Sequence, residues 1–384
     1  MGNFIKENCL TFCVAICTAI GGSPALAMTG STHIKVDGGI LGPLVVSGGL
    51  DGYFYGQLGV SNNNNPNGSA LGNDATGAKL LNMVLSIQKK TGLIQFTLQE
   101  RAAAVPVIGM GLPTPKIDLS HGFPLYHGYI TLVPPSSPFT VSVGQLGSLE
   151  GVEGGLDWNN PNIFVSAISS VENVPNVGIN GTFTEGPVAA AVTFSDGFDT
   201  RTFNYIQALV TYSFNDNNNL NLFYGGNMSR TGLAATVFNG KTVAKSGSYF
   251  INSQLFGGWY SYTWGNLNLI PEAQLIYAKA DKHVAIPKYT SNFAAVMFAN
   301  YDFGRSPYSL ETMAQYFDSI GKSNWYIAPR AEGVSLELTP TWQYKDLFAR
   351  VSLVYVHLIN EGAYGNDGNG RDAFQSALEA GVIF

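Results

Sequence analysis

The side chains able to do chemistry in this chain are scattered, and the scatter narrows the chemistry. Its five histidines, His33, His121, His127, His283 and His357, stand far apart, and none belongs to an HExxH pair. No Walker loop and no nucleophile elbow with a placed histidine occurs, so the chain is read as a non-enzyme. Cys9, Cys13 and Cys17 are its three cysteines, all near the N-terminus, which leaves no thiol for catalysis, disulfides or metal binding further along. The stretch 366–372 alternates oxygen-bearing side chains, but Arg371 breaks the series and no glutamate closes it, so it is not a calcium loop. No cofactor and no metal are expected. What remains is fixed charge: Asp51, Arg101, Glu272, Glu337, Arg350 and Glu379 along the chain, and Glu150, Glu153 and Asp157 beside Trp158. Charges of this kind act on ions by their field, provided something arranges them around water.

The arranging elements are strands. In residues 334–344, Val334, Leu336, Leu338, Pro340, Trp342 and Tyr344 fall on one face, and Ser335, Glu337, Thr339, Thr341 and Gln343 on the other. Successive side chains of a strand point to opposite faces, so this segment has an oily side and a wet side. The same alternation sets Leu81, Met83, Leu85 and Ile87 against Asn82, Ser86 and Gln88. It sets Ile94, Phe96 and Leu98 against Gln95, Thr97 and Gln99, and Phe374, Leu378, Ala380, Val382 and Phe384 against Gln375 and Glu379.

Composition agrees. Charged residues are 12% of the chain, against about 25% in an ordinary soluble domain. Mean hydropathy is only +0.09, and no apolar run is long enough for a membrane helix of about 20 residues. Disorder is excluded by 45% hydrophobic and 12% aromatic content. The net charge of −6 with dispersed basic residues argues against nucleic acid.

Connections between the alternating segments are short and long in strict turn. Short ones are Thr91-Gly92, 134–137, Glu185-Gly186, 215–218, Gly265-Asn266, 304–306 and Lys345-Asp346. Long ones, rich in Gly, Asn and Asp, run near 59–79, 103–122, 147–175, 196–202, 228–248, 280–292, 318–332 and 359–372. An up-and-down antiparallel transmembrane β-barrel with short periplasmic turns and long external loops has this pattern. About sixteen strands are expected, starting near Leu44, Leu80, Leu93, Phe123, Phe139, Asn176, Val188, Phe203, Asn219, Tyr249, Asn266, Phe293, Leu310, Gly333, Leu347 and Ala373. In 310–317, Leu310, Met313, Ala314 and Phe317 also fit a helical face, and dropping 293–302 with 310–317 leaves about fourteen strands. Tyr212, Phe214, Trp342, Tyr344 and Phe384 flank turns, as interface girdles do.

Residues 1–27 read as a secretory signal: Lys6, an apolar stretch from Leu10 to Ile20, and Ala25-Leu26-Ala27 as cleavage site. Residues 28–43 are then a periplasmic lead, and 44–384 the barrel.

Several motifs resemble the OmpL-like putative β-barrel porins of Gram-negative outer membranes. They are His127-Gly128-Tyr129 through Val143-Gly144-Gln145, Gly333-Val334-Ser335 through Tyr344, Phe348-Ala349-Arg350, and Glu379-Ala380-Gly381-Val382-Ile383-Phe384. The resemblance implies passive diffusion of small solutes across the outer membrane. It also implies that Phe374, Val382 and Phe384 of the last strand form the signal read by the barrel-assembly machinery, and that the third long loop, 147–175, often folds inward in porins. Outer-membrane lipids are the expected surroundings. A homotrimer is compatible with the outer wall, because a lipid-facing and a subunit-facing apolar wall look alike in sequence.

By the alternation, Asp51, Arg101, Glu272, Glu337, Arg350 and Glu379 face inward, four acids against two bases, which predicts a weakly cation-preferring lumen. Loop 147–175 is the expected constriction: Ile163-Phe164-Val165 would pack on the wall, while Glu150, Glu153, Asp157 and Trp158 face the water. The alternatives are an adhesin or binding barrel acting through its external loops, and a barrel hydrolase.

Overall fold

The computed structural model describes residues 28, 30, 33–62, 68–117, 125–234, 236–237, 241–242 and 248–384. Sixteen strands form the wall: β1 Pro43–Leu58, β2 Thr76–Lys89, β3 Ile94–Ala103, β4 His127–Leu132, β5 Phe139–Leu146, β6 Asn176–Glu185, β7 Val188–Ser195, β8 Tyr205–Asn215, β9 Asn218–Asn227, β10 Gln254–Trp264, β11 Leu267–Ala278, β12 Thr290–Asp302, β13 Tyr308–Ile320, β14 Glu332–Tyr344, β15 Leu347–Leu358 and β16 Asp372–Ile383. Each pairs antiparallel with its sequence neighbours, and β1 pairs with β16 from Leu58↔Phe374 to Gly49↔Ile383, which closes the barrel. Closure leaves no unpaired sheet edge, the condition for strands to cross a bilayer.

The tight turns follow from backbone sterics. Gly186 and Gly265 sit in two-residue turns at φ of 57° and 59°, a left-handed conformation that costs glycine nothing. Burial alternates as the sequence requires. In β14, Val334, Leu336 and Leu338 are exposed outward while Ser335, Glu337 and Thr339 are buried inward. Outward aromatics gather near the short turns: Tyr212 packs edge-on against Phe214 with ring centroids 4.9 Å apart, Tyr301 edge-on against Phe303 at 5.1 Å, and Phe139 tilted against Phe183 at 5.1 Å. This is the girdle of one membrane interface.

Three expectations need correction. The segments 293–302 and 310–317 are strands β12 and β13, paired over their whole length, so the fourteen-strand count falls and the helical spacing of Leu310, Met313, Ala314 and Phe317 is incidental. Tyr249 opens no strand. It lies in a single helical turn, Ser248–Ile251, before β10. Leu81 does not face out with Met83 and Leu85: the β1–β2 register slips between Leu50 and Gly52, so Leu81 and Asn82 together oppose Asp51 and both point inward. A bulge puts two residues where the alternation has one. Within the expected lead 28–43, two contacts reach the barrel. Ile34–Asp37 pairs with Pro43–Val46, and Met28 is buried inside the barrel with its N–H donating to the Trp158 carbonyl at 3.0 Å. Phe123 and residues 1–27, including the proposed signal and its three cysteines, lie outside the described residues.

Candidate functional site

The long connection between β5 and β6 folds into the barrel. Its apolar run Ile163-Phe164-Val165 is at most 1% exposed, and Ala167, Ile168 and Val171 are buried with it. Hydrophobic burial drives this segment inward, but backbone polar groups carried into the lumen must find partners there. They find them on strands on both sides of the lumen. The Phe164 N–H donates to Glu337 of β14 at 3.2 Å, and the Ala167 N–H to Gln315 Oε1 of β13 at 2.7 Å. Gln274 Nε2 of β11 donates to the Ile168 carbonyl at 2.8 Å, and Asn162 Nδ2 to Thr339 Oγ1 at 3.0 Å. Arg350 of β15 donates to the Asn160 carbonyl at 3.1 Å, and Arg101 of β3 to the Gly155 carbonyl. The segment therefore crosses the lumen. A second loop segment supports it: the Ile108 N–H donates to Val165 at 3.0 Å and the Val165 N–H to Pro106 at 2.8 Å.

The barrel is consequently not an open tube at mid-height. Inward side chains such as Asn300, Thr339 and Ser352 have no exposed surface. Above them, Leu71, Trp325, Tyr326 and Tyr364 from other external loops join the same apolar cluster as Ile163 and Phe164.

All six wall charges point inward and are buried, and each has a specific attachment where the structure gives one. Asp51 accepts from the Asn82 N–H and from Asn82 Nδ2, both at 2.9 Å, and so clamps the bulge. Arg350 pairs with Glu379 at 2.6 Å, with both side chains at most 1% exposed. Glu337 takes Phe164, Thr339 and Ser352 as donors. Arg101 lies over the Tyr126 ring, 3.5 Å from its centroid.

The loop acids differ from expectation. Glu150 and Glu153 do not face open water; they are 3% and 8% exposed. Glu150 accepts from Asn173 N at 2.6 Å, Gln207 Nε2 at 2.8 Å and Tyr205 Oη at 3.0 Å, and Gly225 leaves room for its carboxylate. Glu153 accepts from the Ser166 N–H at 3.1 Å and from its hydroxyl. Burial pushes the Glu153 carboxyl up to about 7 against the pull of Ser166, and raises Glu150 against its three donors. Trp158 is buried at the foot of the loop, against Gly49 of β1 and Met28. The Asp157 side chain lies outside the described residues.

Sequence reasoning missed two acids. Glu311 of β13 is 1% exposed and accepts from Thr341 at 2.8 Å. Its parity marks it as inward once 308–320 is read as a strand. Glu172 closes the loop, and burial together with the nearby Glu272, Glu150 and Glu153 holds its carboxyl well above the usual range. No periodicity flags a loop residue.

A family model described as putative beta-barrel porin-2, OmpL-like, matches residues 43–384. No curated protein matches the chain. Among solved structures, the chain is similar to an anion-selective porin from Comamonas acidovorans, with a TM-score of 0.58 at 11% identity over 89% of this chain and 99% of that one. It is also similar to OmpT of Vibrio cholerae, at 0.58 and 8% over 92% and 100%, and to Salmonella typhi OmpF in complex with daunomycin, at 0.55 and 13% over 92% and 100%. At these identities the likeness is one of fold. With the family match spanning the whole barrel, the chain belongs to the OmpL-like putative beta-barrel porin-2 family and is a porin of the bacterial outer membrane.

Proposed function

We propose that this porin passes small hydrophilic solutes and ions passively, with a weak preference for cations, along a path narrowed by loop 147–175. The observation that carries this is the luminal charge. Even leaving out Glu150, Glu153 and Glu172, whose carboxyls are raised, Asp51, Glu272, Glu311, Glu337 and Glu379 outnumber Arg101 and Arg350 inside the barrel. An acid excess at a narrow, low-dielectric passage favours cations over anions. The pore-lining role of Asp51, Arg101, Glu272, Glu337, Arg350 and Glu379, and the constriction role of Glu150, Glu153, Asp157 and Trp158, belong to this proposal. So does a non-enzymatic role. Phe374 and Val382 sit on the outer face of β16, with Phe384 just beyond it, which is consistent with their serving as the assembly signal. Lipids surround the outer wall, and trimerisation through part of it follows the precedent of the V. cholerae OmpT trimer form. Reversal potentials of the refolded protein in a KCl gradient test the preference. A shift toward the cation Nernst potential is expected, and a clear anion preference would sink it.

A further inference from the structure

The luminal acids fall into two sets. Glu150, Glu153, Glu311 and Glu337 each take hydrogen bonds from specific donors. Glu172 and Glu272 are different. Glu272 is 3% exposed, yet neither of its carboxylate oxygens has a hydrogen-bond donor in bonding geometry, and Glu172, 9% exposed, leaves Oε1 without one. Among the described residues no lysine or arginine pairs with either. The two groups occupy one place: the Glu172 carboxylate lies against Gly151, where any side chain would collide with it, and Glu272 lies beside the backbone of the next residue, Val152. A third oxygen without a donor lies on the same strand face as Glu272. Gln274 follows Glu272 by two positions on the same face of β11, and its Oε1 has no donor because its Nε2 is turned to Ile168.

Two buried carboxylates within reach of each other's charge repel; no donor serves Glu172, and the nearest one to Glu272, the Val152 N–H, is not in bonding geometry. Elsewhere in this lumen each acid has been given donors, so the omission at this one place calls for something the chain itself does not provide. We propose that Glu172 and Glu272, with Gln274 Oε1, bind one hard divalent cation, and that this ion pins the C-terminal end of the plug to β11. A divalent ion neutralises both carboxylates at once. Hard oxygen donors of this kind suit calcium, with water completing the coordination shell. Among the described residues no third carboxylate or histidine converges to coordination distance, so the site is a two-carboxylate one. It stands whether or not the barrel conducts, because binding is read on the protein itself.

Isothermal titration of the refolded full chain in detergent with CaCl2 should show one saturable site. Glu172→Gln and Glu272→Gln should each weaken it by about tenfold or more, while Glu311→Gln, whose carboxylate keeps separate partners, should leave it unchanged. Trp259 lies opposite Glu272 in the β10–β11 register and is inward, so Tb3+ bound at the site should luminesce on tryptophan excitation and be displaced by Ca2+. That reading needs only the wild-type chain, and so survives a variant that fails to fold. No saturable Ca2+ binding and no displaceable Tb3+ signal in the wild type would overturn the proposal, as would unchanged affinity in either folded glutamine variant.

Discussion

The plug is fastened differently on the two sides of the lumen. Toward the β1–β16 seam, Arg101 and Arg350 hold it by its carbonyls at Gly155 and Asn160, and Arg350 is itself neutralised by Glu379 at 2.6 Å. Toward β8 and β11, the plug brings Glu150, Glu153 and Glu172 against a wall that carries Glu272. Guanidinium groups stay charged at any physiological pH, so the first side is indifferent to it. The second side is stable only when its carboxyls are protonated, hydrogen-bonded or neutralised by a cation. The plug is therefore expected to loosen first at the glutamates, its latch, while the arginines hold as a hinge.

The largest effect is expected at the hinge. Arg350→Gln leaves Glu379 buried without its guanidinium and should cost about 3–5 kcal/mol in denaturant unfolding of the refolded barrel. A loss below about 1 kcal/mol would mean that the two sides are not distinct in this way. Next comes the apolar run that lies between them. Phe164→Ala empties a fully buried site and should cost about 3 kcal/mol, with a larger single-channel current as the plug loosens.

The latch should show itself through pH. Glu153 has a folded-state carboxyl raised to about 7, so its contribution to docking is complete below the ordinary glutamate value and is lost as pH rises through about 7. The effect is at most about 3 kcal/mol, and conductance should rise across that interval. Glu153→Gln should flatten the rise; an equal rise in the variant would assign it elsewhere. The smallest effect is on selectivity. Reversing Glu150 and Glu153 to lysine should move the reversal potential toward that of the anion, and an unmoved potential would place the permeation path away from the plug.

How much of this was legible in the sequence depends on the element. The wall was readable because a strand's period is two and its turns carry Gly, Asn and Asp; thus Leu347 and Val188 open strands where expected. Leu81 was misread because a bulge changes parity without leaving a mark in composition. The inward fold of 147–175 was visible in its apolar run, but the burial of its acids was not. The donors that make that burial tolerable, Tyr205, Gln207 and Asn173, are distant in sequence or unremarkable in type. Glu311 escaped because Leu310, Met313 and Phe317 mimic a helical face. Met28 beneath Trp158 had no sequence signal at all.

The most direct test compares planar-bilayer conductance of the wild-type barrel with that of a variant whose residues 151–171 are replaced by a short Gly/Ser linker. If the lumen is an aqueous path throttled by this loop, the wild type gives small, cation-favouring steps and the shortened loop gives steps several times larger. Equal steps in the two proteins, or silence from both, would contradict it.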